Sequence, residues 1–184
     1  MSARPVRQAW LRWGAVALIQ VALIGAPLAE RVTVRLNGRE AVLAMRPVDP
    51  RDLLRGDYVI INLEIGRIDP ATLREPFQVG EYGRVWVVLE PDADGVARPV
   101  EILTTPPNDG RLAISGRVLG HSTDSAIFID YGIDAFYVPE GAGKEIEQVD
   151  ASRLRLVVAI SPDGRSLPLR LLQDGEVVLE DGAL

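Results

Sequence analysis

Between Trp13 and Ala29 the chain runs for 17 positions with a single polar residue, Gln20. At about 1.5 Å per helical residue this run reaches about 25 Å, just under the ~30 Å hydrocarbon core of a bilayer. Adding Trp10 and Leu11, with Arg12 reaching back to the surface along its aliphatic stem, completes a span. Trp10 and Trp13 then sit at the interface, where amphipathic rings are favoured. Arg4, Arg7 and Arg12 precede the run, so the positive-inside rule holds the N-terminus in the cytoplasm and sends the remainder across. Arg31, Arg35 and Arg39 lie on the far side, accompanied by Glu30 and Glu40. A cleaved secretory signal is the competing reading, but its cleavage site is poor. Cutting after Ala29 places Pro27 three positions back, and cutting after Ala26 places it immediately after the cut. A helix buried in a soluble protein would keep a polar face, which this run lacks. The expected organisation is a cytoplasmic stub and transmembrane anchor over residues 1–29, then an extracytoplasmic domain over 30–184. That places the protein in the cytoplasmic (inner) membrane as a single-pass chain, its C-terminal domain in the periplasm or outside.

Beyond Ala29 the helical period gives way to alternation and tight turns. Arg31 to Leu36 alternates, Asn37-Gly38 has the composition of a type I′ hairpin turn, and Arg39 to Arg46 returns. Leu53 to Ile68 contains a further strand. Gly83–Glu90 and Val96–Leu103 flank Asp92-Ala-Asp-Gly95 as a second hairpin. Arg111–Leu119 and Ser125–Tyr131 form another pair, with Gly120-His121 in the turn, and Phe136-Tyr137-Val138 is a short strand. Arg153–Ile160, Ser166–Leu172 and Glu176–Leu179 make a terminal meander through Asp163-Gly164 and Asp174-Gly175. Helical turns are expected at Asp49-Pro50-Arg51-Asp52-Leu53 and Asp69-Pro70-Ala71-Thr72-Leu73, where an Asp cap precedes a first-turn Pro. A short helix is expected from Ala142 to Val149. The fold class is mainly β, an antiparallel barrel or sandwich with one or two short helices behind an N-terminal transmembrane helix.

Composition narrows the function classes. The formal charge is −6, yet the three charges in the first 28 residues are all positive. That leaves 17 basic against 26 acidic side chains from Ala29 onward, a balance of −9. Such a domain repels phosphate backbones, so no nucleic-acid partner is expected. The chain has no cysteine, which removes disulfides, thiol catalysis and thiolate metal sites.

Two polar blocks look placed rather than scattered. Pro47-Val-Asp-Pro-Arg-Asp-Leu-Leu-Arg-Gly-Asp-Tyr-Val-Ile-Ile-Asn62 turns at Gly56-Asp57 and launches a β-branched strand. Phe136-Tyr-Val-Pro-Glu-Gly141 echoes it with an aromatic strand ending in a carboxylate turn. With these residues the chain resembles the bacterial GDYXXLXY family, named for a Gly-Asp-Tyr-x-x-Leu-x-Tyr string. Gly56, Asp57 and Tyr58 match that string, while Ile61 stands for its Leu and Leu63 for its final Tyr. The resemblance covers nearly the whole length and implies a membrane-anchored protein of undefined biochemical role, expected beside multi-spanning membrane proteins. The departure at Leu63 removes a phenol from the pattern.

Each residue has a structural and a chemical reading. Gly56 permits a positive φ, and Asp57 can accept from nearby amides to fix a turn. Chemically, Asp57 and Glu140 are candidates for an acid–base carboxylate pair. Tyr58 and Tyr137 are half-buried strand residues with wet hydroxyls, or a stacking platform for a ligand. Leu53-Leu-Arg-Gly-Asp-Tyr-Val-Ile60 is also similar to a segment of signal-peptidase-like hydrolases, which use a serine and a lysine base. In that register the nucleophile position is Val48, no serine lies between Ser2 and Ser115, and the sole lysine is Lys144. The lone His121, the short Asp92–Gly95 string and Gly141-Ala-Gly143-Lys144 do not meet the requirements of a triad, a calcium loop or a phosphate loop. No metal and no cofactor are expected.

The leading expectation is a non-enzymatic, single-anchor envelope protein that contacts another membrane protein or its own copy. Gly56, Asp57, Tyr58, Tyr137, Pro139, Glu140 and Gly141 form the binding face. The alternative is an envelope hydrolase using Asp57 and Glu140 on a signal-peptidase-like β-architecture without the Ser/Lys dyad. A third reading is a small-ligand binder with Tyr58 and Tyr137 as its platform, which requires a pocket of a few hundred Å³.

Overall fold

The structure, a computed structural model, describes residues 4–46, 58–60, 62–77, 83–121, 126–133, 135–137 and 149–180. Its first element is one long helix, α1 (Arg4–Asn37), of 34 residues, or about 51 Å at the helical rise. The window from Arg12 to Asn37 is long and apolar enough to cross a membrane by length and composition, and none of its apolar window is buried against the rest of the chain. The apolar run expected over Trp13–Ala29 is therefore helical, and the helix continues beyond Ala29.

The strand expected over Arg31–Leu36 is helical instead, and Asn37-Gly38 closes a helix rather than a hairpin. Alternation here fits both structures. Extending an existing helix needs no new nucleus, and the β-branched residues cost only a few tenths of a kcal/mol each. On a helix, positions two apart face opposite ways, so Val34 is buried at 4% exposure while Leu36 is 76% exposed. The Gly38 amide donates to the Val34 carbonyl at 2.8 Å. A Cβ at position 38 would lie 2.4 Å from that oxygen and 3.0 Å from the Ala159 Cβ, so only glycine lets the chain turn here against the sheet.

The remainder is β: β1 (Arg39–Ala44), β2 (Tyr58–Ile60), β3 (Arg67–Ile68), β4 (Arg84–Pro91), β5 (Ala97–Leu103), β6 (Ala113–His121), β7 (Ile127–Asp130), β8 (Ala135–Tyr137), β9 (Leu154–Ile160), β10 (Ser166–Gln173) and β11 (Glu176–Glu180). They form a four-stranded sheet β1-β9-β10-β11, a five-stranded sheet β3-β7-β6-β4-β5 and the ribbon β2-β8, with every strand pairing antiparallel. The arrangement is sandwich-like and no barrel closes. One seam joins the sheets through a Val42–Val96 bridge, and β3 and β11 remain edge strands among those described. The hairpins expected at Asp92–Gly95, Asp163-Gly164 and Asp174-Gly175 all form, as does the helical turn at Pro70–Thr72, where Asp69 accepts from the Ala71 amide. His121 ends β6, with Ile127 as its Cα partner, rather than sitting in a turn. The turn at Asp49-Pro50 lies outside the described residues, as does the helix expected from Ala142 except for its last residue.

Leu43, Ile65, Ile68, Val87, Ile114, Val118, Ile127, Leu156, Val158 and Leu171 fill the space between the sheets. β9 is covered on both faces. Leu154, Leu156, Val158 and Ile160 enter that core, while Val157 and Ala159 join Leu169 beneath Val34 of α1. This explains its near-continuous apolar run. Trp86 Nε1 donates to the Asp163 carbonyl at 2.8 Å and the Ser115 amide donates to the Gly164 carbonyl at 2.7 Å, locking the β9–β10 turn onto the opposite sheet.

Candidate functional site

The two polar blocks meet. β2 and β8 pair antiparallel with Tyr58 opposite Tyr137, Val59 opposite Phe136 and Ile60 opposite Ala135. β-branched and aromatic residues suit such a ribbon, and cross-strand partners share a face. Backbone register thus puts the two tyrosine positions directly across from one another. Gly56, Asp57, Ile61, Pro139, Glu140 and Gly141 lie outside the described residues, and so does any separation of the Asp57 and Glu140 carboxylates.

The chain leaves the four-stranded sheet at Met45 and returns at Leu63, where an antiparallel bridge joins these residues. The Arg46 amide donates to the Asn62 carbonyl at 2.7 Å. The first block is therefore held at its base by pairing between the residues on either side of it. Leu63, at the position of the family's final Tyr, is 6% exposed and packs in the core with Met45 and Ile65. An aliphatic side chain serves that position because the site is dry and packed.

Beside this base lies a cavity of about 360 Å³ lined by Leu63, Phe128, Ile129, Tyr131 and Ile133, with Arg46 and Arg67 among its polar residues. Arg46 and Arg67 also border a second hollow of about 350 Å³ with Glu64, Asp69 and Ala126. The Tyr131 hydroxyl donates to the Ile65 carbonyl at 2.9 Å. Burial pushes its pKa well above the ordinary tyrosine range, so it remains a protonated donor. Gly116 makes room for this ring: a Cβ there would lie 2.9 Å from Tyr131 Cδ1 and 2.5 Å from Ile129 Cγ2.

The carboxylates near the cavity have partners. Glu64 Oε2 accepts from Arg98 Nη1 at 2.5 Å, and Asp130 Oδ1 accepts from the Gly132 amide at 2.8 Å. Arg98 also reaches Asp92 at 2.9 Å, and that hydrogen bond first, then the Val96 amide, holds the Asp92 carboxyl below its usual range. Among the described residues no group of three His, Cys, Asp or Glu side chains is placed to hold a metal.

The sequence placed Tyr58 and Tyr137 on strands but gave no sign that Arg46, Arg67, Leu119 and Tyr131 line one cavity. Leu119 sits at a register shift between Val118 and Gly120 that leaves it 60% exposed at the cavity. Its signal was the Leu-Gly pair at the end of a strand, where a glycine marks a bulge.

The family model described as GDYXXLXY protein matches residues 20–171, a span that takes in the second half of α1 and both tyrosine blocks. No curated protein and no solved structure matches the chain.

Proposed function

The chain belongs to the GDYXXLXY protein family, and from that membership we propose that it is a single-pass envelope protein of the cytoplasmic membrane and not an enzyme. Its β-domain lies outside the cytoplasm and contacts another membrane protein, or a second copy of itself, through the face built by the tyrosine blocks. The observation that carries this reading is α1. A helix of membrane-spanning length and composition enters the β-domain without a linker and is seated there by Val34. Arg165 pairs with Glu30 beside that seat. A domain seated directly on its own span is held within tens of ångströms of the bilayer, which raises its effective concentration for any membrane neighbour. Contacts that would be weak in solution then suffice. The opposed Tyr58 and Tyr137 positions support the choice of face, because tyrosine is enriched where proteins meet.

A photoreactive phenylalanine analogue at Tyr58 or Tyr137, irradiated in native membranes, tests the proposal. A discrete higher-mass adduct is expected from these positions and not from Glu176 on the exposed β11 edge. Monomer alone from both tyrosine positions would contradict it.

A further inference from the structure

We infer that the β9–β10 turn and the last two turns of α1 rest together in the headgroup layer of a bilayer, so that lipid is the partner of this end of the sandwich. The inference rests on the reading of α1 as a membrane span. Depth follows from counting along the helix. A hydrocarbon core of ~30 Å takes up about 20 helical residues. Counted from Trp10 the core ends near Glu30, and counted from Trp13 it ends near Thr33. The headgroup layer beyond it is about 5–8 Å thick, or about four to five helical residues. That layer therefore falls within the stretch from Glu30 to Gly38, which is helical as far as Asn37.

The same stretch is the part of α1 that the domain holds. Arg165, in the β9–β10 turn, pairs with Glu30, and its Nε donates to Asp163 Oδ2 at 2.6 Å. One helical turn higher, Val34 seats against Val157, Ala159 and Leu169. The turn is thus fixed at the depth where the core ends. Each charge of the Glu30–Arg165 pair brings its own counter-charge, which offsets part of the desolvation imposed near the bilayer. Pro162, at the tip of this turn, is exposed. Half-buried Trp86 donates to the Asp163 carbonyl, and an indole suits the interfacial layer.

A second mark of the contact lies on α1 itself. Leu28, Val32 and Leu36 recur every four residues and are all exposed, Leu36 at 76%. Positions two apart on a helix face opposite ways, so Val32 and Leu36 point away from the sheet on which Val34 sits. They continue the apolar surface of the span past Ala29 without a break, alongside the domain. Water would leave these side chains bare, whereas the boundary between headgroups and acyl chains accepts them.

The test uses the full chain in phosphatidylcholine nanodiscs, with a bimane fluorophore on a single cysteine at Pro162, Leu36, Val21 or Glu176. Nitroxide lipids quench the label, either from the choline headgroup or from the middle of an acyl chain. Glu176 is the control, because the eight residues of β10, about 26 Å of strand, separate it from the β9–β10 turn. Pro162→Cys and Leu36→Cys are expected to respond to the headgroup nitroxide at least about twofold more strongly than Glu176→Cys, since the layer is only about 5–8 Å thick. Val21→Cys reports on the span and should respond to the acyl-chain nitroxide. If it does so while Pro162→Cys responds no more than Glu176→Cys, this inference is overturned and the span reading stands. Shielding of Leu36→Cys from both nitroxides would mean that protein, such as a second copy, covers the stripe, and would overturn lipid as its occupant even where Pro162→Cys folds poorly. No acyl-chain quenching at Val21→Cys would remove the span and this inference with it.

Discussion

Gly164 is where one residue decides most. It turns the chain at φ +90° between β9 and β10, and a Cβ there would lie 2.7 Å from Trp86 Cδ1 and 3.0 Å from the Ser115 amide nitrogen. Gly164→Ala combines an unfavourable conformation with a collision against the opposite sheet, so a loss of at least ~2 kcal/mol is expected from denaturant unfolding. Asp92 makes a gentler prediction. Its Oδ1 accepts from the Asp94 and Val96 amides and its Oδ2 from Arg98, all of which favour the charged form. Its folded pKa is depressed, so its contribution is complete above the unfolded value of ~3.9 and is lost as pH falls through the folded value. An NMR titration should place this carboxyl below an ordinary aspartate, and Asp92→Asn should flatten the acid limb of the stability profile. Both turns were legible in the sequence, because Asp-x-Asp-Gly and Asp-Gly announce their geometry locally. The bond from Tyr131 to the Ile65 carbonyl was not, since it forms only when residues distant in the chain converge.

At the level of elements, the terminal meander and the β4–β5 hairpin could be read directly, each being an apolar run bounded by turn residues. Arg31 to Leu36 could not. Its Val-x-Val-x-Leu alternation is a strand pattern locally, and the helix already running through Ala29 overrides it. Val34 then becomes the contact between α1 and the sheet, buried with Val157, Ala159 and Leu169. Val34→Ala should weaken that seat by about 1–2 kcal/mol. Hydrogen exchange of the amides from Glu30 to Gly38 should accelerate while the β4–β6 amides stay protected. Uniform acceleration in both regions would mean that α1 and the sandwich open as one unit. β2 and β8 were legible as strands, but their pairing was not: residues 58 and 137 find their register only through the folded chain.

For the whole molecule, the two sheets are locked together by the Val42–Val96 bridge, the Trp86–Asp163 bond and the Arg39 Nη1 to Gly110 carbonyl bond of 2.8 Å. One of these sheets also seats α1 through Val34, so the helix and the sandwich are coupled. On that coupling rests our proposal for the whole molecule: that an uninterrupted α1 spans the cytoplasmic membrane and presents an acidic sandwich on its far side. The absence of cysteine permits a direct measurement. A single cysteine at Asp94, in the exposed β4–β5 turn, is treated with a membrane-impermeant maleimide before and after cell lysis, with Ser2→Cys alongside. The account predicts that Asp94→Cys labels in unlysed spheroplasts, that Ser2→Cys labels only after lysis, and that both full-length chains stay with alkali-washed membranes. Labelling of Asp94→Cys only after lysis, or recovery of the full-length chain in the soluble fraction, would contradict it.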